Sequence, residues 1–182
     1  GAYYACLGKT MYRAAALADL NASLSNGPST FALIYRARLF ISMNRWSDAL
    51  KDCMQILESD AKNMDALTTQ AKVFLLQKER KLAEKALKKC AKTAKEDFVL
   101  YALRGWFFLQ NGDAHQALEY LNKSIETYQS WRQKEIDKNS KILKKKDVLD
   151  YYDFLLLRAE IHHRVNSASG AIQDYQEAIR LF

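Results

Sequence analysis

The chain has 182 residues, 49% of them apolar and 27% charged, with 28 basic against 21 acidic side chains and a formal charge of +7. That apolar fraction can bury a core, which excludes disorder as the main state, and no uncharged apolar run reaches the ~18 residues of a membrane span. One proline (Pro28) and six glycines argue against a turn-rich all-β chain, and three scattered cysteines (Cys6, Cys53, Cys90) fit neither a disulfide framework nor a zinc pattern.

The elements repeat along the chain. Leu33, Ala37 and Phe40 follow the i, i+4, i+7 spacing of one helix face; Met43-Asn44-Arg45 reads as a turn; Ala49, Cys53 and Ile56 begin a second helix with the same spacing. Thirty-four residues on, Leu67, Ala71, Phe74 and then Ala83, Leu87, Cys90 repeat the pattern. After another 34 residues come Tyr101, Gly105, Phe108, the turn Asn111-Gly112-Asp113, and Ala117, Leu121, Ser124. Ile125, Tyr128, Trp131 and Ile136 carry this last helix beyond its usual end. A polar loop is expected near Asp137–Lys146, with the next helix beginning near Asp147 as N-cap. Ala159, His162, the turn Asn166-Ser167, Ala171 and Ala178 form the last unit. Ala117 and Ala171 are 54 residues apart, one period plus an insertion of 20. The small residues have a steric reason: two antiparallel helices approach closely only where side chains are short.

On these residues the chain resembles the tetratricopeptide repeat (TPR) family. The period, the small residue followed three later by an aromatic, and the alanines of the second helix all match. The family's tryptophan near the start of the first helix is replaced by Leu33, Leu67, Tyr101 and Leu155, and its closing proline appears only as Pro28. The resemblance implies an all-α, right-handed superhelical solenoid of antiparallel helix hairpins. The expected organisation is a partial repeat over 1–28 and repeats over 30–63, 64–97 and 98–136, the last with an extended second helix. A basic insertion loop follows over 137–147 and a final repeat over 148–182. In the partial repeat, the stretch from Gly1 to Lys9 matches a first helix from its small residue through its turn, and Ala16-Leu17-Ala18-Asp19 matches the start of a second. Both ends fall inside repeats, as in a fragment of a longer array.

No catalytic, cofactor-binding or metal-ligating set is expected. There is no Gly-rich phosphate loop, no His-Glu-x-x-His and no Gly-x-Ser-x-Gly. His162-His163 is the one conspicuous pair. Neighbours on a helix point about 100° apart, so His162, at an aromatic position of the repeat, reads as a core residue. The resemblance implies a non-enzymatic scaffold whose first helices line a concave groove for a partner protein segment or another segment of the same chain. Carried across, the groove positions are Ile34, Arg38 and Ile41, then Lys72 and Leu75, then Trp106 and Leu109, then Glu160 and His163; Phe31 adjoins the first set. Trp106 reads equally as a groove anchor or as core. The clamp with which some members grip heat-shock chaperone tails is absent: Tyr35 precedes Arg36, and the corresponding residues further on are Asp65, Thr69, Val99 and Leu103. Such a tail is therefore not an expected partner.

The charge is uneven: residues 64–97 and 127–147 each carry +4. Lys78, Arg80, Lys81, Lys85, Lys88, Lys89 and Lys92 read as one basic stripe on a second helix, a solvated face or a dock for an acidic partner such as an acidic protein, tubulin tails or nucleic acid. No aromatics interleave the lysines, so nucleic acid is not the expected choice, nor is a membrane. Arg36, Arg104 and Arg158 share one repeat position. They read as arginines whose stems pack between helices, in preference to a ladder of anion-binding groups. Reduced thiols and the absence of a signal-peptide pattern point to a cytoplasmic or nuclear protein.

Overall fold

The computed structural model describes residues 2–94, 96–137 and 145–180. Most of the insertion expected over 137–147 lies outside the described residues. Among the described residues the chain is all helix and turn. It divides into two compact units, Gly1–Gln77 and Lys78–Phe182.

The first unit holds α1 (Ala2–Ser25), α2 (Thr30–Ser42), α3 (Trp46–Ser59) and α4 (Met64–Leu76). Each helix packs on the next, and α2 also packs on α4. The second unit holds α5 (Arg80–Thr93), α6 (Phe98–Gln110), α7 (Ala114–Asp137), α8 (Lys145–Arg164) and α9 (Ala168–Arg180). Here too successive helices pack, and α6 also meets α8. First helices are therefore covered on two sides, which is why α2 and α6 are apolar around most of their circumference while α3 and α9 are apolar along one stripe. The division between units falls inside the 64–97 repeat, with α4 before it and α5 after it.

The 34-residue period sets both ends of the first helices. Ser29, Asn63 and Asp97 cap α2, α4 and α6, each side-chain oxygen accepting the backbone N–H three residues on (Ala32, Ala66, Leu100). The following turns put one residue in the left-handed region: Asn44 (φ 58°), Lys78 (φ 58°), Gly112 (φ 83°) and Asn166 (φ 57°). Three of these turns close with one hydrogen-bond pattern. Arg45 N–H donates to the Phe40 carbonyl at 2.8 Å, Asp113 to Phe108 at 3.0 Å and Ser167 to His162 at 2.8 Å.

α1 departs from the expectation. It runs unbroken from Ala2 to Ser25, through the turn expected by Lys9. Gly8 stands where that turn is expected and is suited to a left-handed residue, yet the helix runs through it, and Lys9-Thr10-Met11-Tyr12-Arg13 offers no second stop. α8 opens at Lys145, two residues before Asp147, the expected cap, which sits in its first turn.

Small residues meet inside the hairpins. Ala37 and Ala49 have no exposed surface and share one cluster with Phe40, Cys53 and Val73. Gly105 faces Ala117 and Leu121 so closely that a Cβ there would stand 2.7 Å from Leu121 Cγ and 3.1 Å from the Ala117 carbonyl oxygen. The overrun of α7 has a packing cause. Tyr128 is fully buried and Trp131 partly so, both against Phe98 at centroid distances of 5.4 and 5.8 Å, and Ser124 Oγ donates to the Phe98 carbonyl. Burial of one such ring contributes about 1.5–3 kcal/mol, ample reason for the helix to run on past its usual length.

Candidate interaction surfaces

In the first unit Arg38 projects from α2 half-exposed, pairs with Asp65 of α4 at 2.7 Å, and lies 5.7 Å from the ring centre of Tyr35. Phe31 is 68% exposed and stacks at a tilt on Tyr35, 4.3 Å between centroids. The surface of α2 thus carries two neighbouring rings and a guanidinium bridging to α4. The other positions carried across divide by burial. Lys72 is partly exposed. Ile41 is partly buried against the Ala37 cluster, and Ile34 is buried with Leu33, Ile56 and Ala66. Leu75 is buried. Ile34 and Leu75 therefore face inward, because a helix covered on two sides has less free circumference than the repeat spacing alone suggests.

In the second unit Trp106 is partly exposed on α6, while Leu109 is buried in the cluster of Ala102, Ala117, Leu121, Phe154 and Ile161. Glu160 and His163 are exposed on α8, and Glu160 accepts from Arg164. Leu109 joins Ile34 and Leu75 as a packing residue.

The basic stripe begins one residue later than its sequence suggests. Lys78 stands in the left-handed turn before α5, so it lies off the helix. Arg80, Lys81, Lys85, Lys88, Lys89 and Lys92 are all exposed on α5, with Glu84 among them and salt-bridged to Lys88 at 2.7 Å. That pair holds the Glu84 carboxyl below its usual range, chiefly through the Lys88 hydrogen bond.

The shared arginine position resolves into two arrangements. Arg36 of α2 donates through Nε and Nη2 to the two carboxylate oxygens of Asp52 on α3, at 2.9 and 2.7 Å, and through Nη1 to Asn21 of α1. Arg158 of α8 repeats this on Asp174 of α9, with Asn122 of α7 in the asparagine's place. Both aspartates are buried, 3% and 2% exposed, and each lies sixteen residues after its arginine. The bidentate fork satisfies a charge that would otherwise be costly to bury, and the Asp52 hydrogen bond raises the Arg36 pKa. Arg104 has the same place on α6, but the residue sixteen on is Tyr120, and the guanidinium lies 5.5 Å from that ring's centre. The repeated arginine–aspartate spacing was present in the sequence and is the signal by which these partners could have been found.

Two of the cysteines are buried thiols. Burial pushes the Cys53 thiol up to about 12 and the Cys90 thiol up to about 11, with Asp52 and Asp97 adding to the rise, so neither is a thiolate near neutrality. His162 packs over Gly170, where a Cβ would stand 2.7 Å from the imidazole, and its Nε2 is 4.0 Å from Asp174. Among the described residues no three His, Cys, Asp or Glu side chains group to hold a metal, and no helix is long and apolar enough to cross a membrane.

Comparison with known proteins agrees with this architecture. The ChAPs (Chs5p-Arf1p-binding proteins) family profile matches residues 4–153. No curated protein matches the chain in sequence. Among solved structures, TTC0263, a thermophilic TPR protein of Thermus thermophilus, is 16% identical over 96% of this chain and 88% of its own, with a TM-score of 0.72. A tetratricopeptide repeat protein from Parabacteroides merdae is 15% identical over 95% and 73%, TM-score 0.57. YrrB, described as a TPR protein with an unusual peptide-binding site, is 15% identical over 89% and 91%, TM-score 0.50. At such identities the likeness is one of fold: all-α helical repeats of the TPR type.

Proposed function

Because the chain belongs to the ChAPs (Chs5p-Arf1p-binding proteins) family, we propose that it is a non-enzymatic scaffold that holds a segment of a partner protein along the first helices of its repeats, with Chs5p and Arf1p the first partners to test. A TPR-type protein-interaction scaffold is what the family and the fold support. The observation that favours the first helices is the exposed face of α2. Phe31 and Tyr35 form a ring pair at the surface, and Arg38 bridges from beside it to Asp65 of α4. Exposed aromatics next to an arginine have the composition of an interface hot spot. In the second unit, taken by itself, Trp106 offers a partly exposed ring on α6.

Calorimetric titration with purified Chs5p and with Arf1p tests this reading. Trp106→Ala and Phe31→Ala are each expected to weaken binding by about 2 kcal/mol, roughly thirtyfold, with helicity unchanged. A loss of about 3–5 kcal/mol in stability for Trp106→Ala, with binding per folded molecule intact, makes Trp106 core.

A second reading rests on α5, whose six exposed cations have one acidic neighbour on the helix. It makes the chain an electrostatic adaptor for an acidic protein. Salt separates the two: apolar contact on the first helices changes little with ionic strength, whereas binding to the α5 lysines falls steeply.

A further inference from the structure

The three arginines at one repeat position invite a question about the odd one. In two hairpins the guanidinium is spent internally: Arg36 and Arg158 each direct two nitrogens at a buried carboxylate and a third at an asparagine. In the hairpin α6–α7 the carboxylate position holds Tyr120, and among the described residues Arg104 has no carboxylate partner. A ring face stabilises the positive charge but accepts no hydrogen bond in the plane of the fork, where the five N–H groups point. The ring beneath it is itself packed. Phe108 stacks on Tyr120 with the rings 4° from parallel and 5.3 Å apart. Lys123 approaches the same ring at 5.6 Å, held there by Glu119. Arg104, Phe108 and Tyr120 are all partly exposed. The result is a partly exposed guanidinium beside a packed ring, with no carboxylate on its fork among the described residues.

We propose that Arg104 is an anion seat, taking an aspartate or glutamate side chain of a protein partner into the role that Asp52 and Asp174 fill within their own hairpins. This rests on the scaffold reading above and adds the chemistry of what the partner must present. The carboxylate is preferred over other anions because the two filled copies of the position hold that group, bidentate. Guanidinium and carboxylate match as fork to fork, which a lysine at this position does not reproduce.

The test uses a short fluorescent peptide rich in aspartate and its asparagine twin, read by anisotropy at a fixed ionic strength of about 0.15 M. The aspartate peptide is expected to bind the wild-type chain and the twin not to. Arg104→Lys keeps the charge but loses the fork, and is expected to weaken binding about tenfold. Tyr120→Asp supplies the missing internal carboxylate and is expected to weaken binding at least as much, with helicity by circular dichroism confirming the fold. If Tyr120→Asp does not fold, Arg104→Lys decides alone. Failure of the wild-type chain to bind, or equal binding by wild type and Arg104→Lys, overturns the proposal. So does a loss seen only in the double variant Lys85→Glu/Lys88→Glu, which moves the site to α5, or displacement by inorganic phosphate as effective as by the peptide. Failure of this inference is distinct from failure of the scaffold reading. Unchanged peptide binding by Arg104→Lys with Chs5p or Arf1p still bound rejects Arg104 alone, whereas a wild-type chain that binds neither protein rejects the scaffold reading.

Discussion

The hairpin α2–α3 of the first unit and the hairpin α6–α7 of the second are built on one plan and finished differently. Both have a capping side chain before the first helix, Ser29 or Asp97, and a left-handed residue in the turn, Asn44 or Gly112. Both bring small residues together, Ala37 with Ala49 and Gly105 with Ala117. They part at the polar edge. The first buries Asp52 under the fork of Arg36; the second sets Arg104 beside Tyr120, with no carboxylate on its fork among the described residues. They differ as well in closeness: Ala37 fits with its Cβ, whereas Gly105 has no room for one. The lesson is that the helix-to-helix contact tolerates little change, because every hairpin must close, while polar side chains at its margin are free to serve either the fold or a partner.

The largest expected effect breaks the polar half of this comparison. Asp52→Ala leaves the Arg36 guanidinium, itself only partly exposed, without its carboxylate, and is expected to cost about 3 kcal/mol in a urea melt. A cost below about 1 kcal/mol makes the buried pair and the cation–π pair equivalent as structural elements, and the distinction drawn between the two hairpins then falls. Next in size is the steric half. Gly105→Ala is expected to destabilise by about 2 kcal/mol, because the new methyl meets Leu121 and a backbone carbonyl that cannot rotate away. The reverse change in the other hairpin, Ala37→Gly, is expected to cost about 1 kcal/mol through helix propensity. If Gly105→Ala raises the melting midpoint, the two hairpins are equally spaced. The smallest effect concerns the turns. Lys78 alone among the four equivalent turn residues is neither Asn nor Gly, so Lys78→Asn is expected to stabilise by about 1 kcal/mol. An Asn44→Lys exchange is expected to lose as much, and equal thermal midpoints for both variants and the parent would remove the turn from the account.

Much of this architecture was legible in the residues. The 34-residue period, the paired helices, the turns at Asn44, Gly112 and Asn166, and the overrun of α7 all follow from local spacing, because a helix and its end are set by residues within a few positions of one another. Lys78 misled because its charge fits the stripe beside it, while the backbone at that position obeys the turn. The unbroken course of α1 shows the converse: a repeat pattern and a glycine at the expected turn, Gly8, do not by themselves stop a helix.

The surface was less legible. Ile34, Leu75 and Leu109 have the spacing of groove residues, yet they are buried. Which face of each helix meets its hairpin mate can be read from the residues, since apolar period and small side chains mark that face directly. How much of the opposite face is covered cannot, because it depends on how α2 lies on α4 and α6 on α8, contacts between residues far apart in the chain. The arginines make the same point. Their shared position and the residue sixteen on, aspartate or tyrosine, are visible in the residues, but the asparagine that each filled fork also reaches, Asn21 for Arg36 and Asn122 for Arg158, stands at no constant spacing and is supplied by packing of the preceding helix.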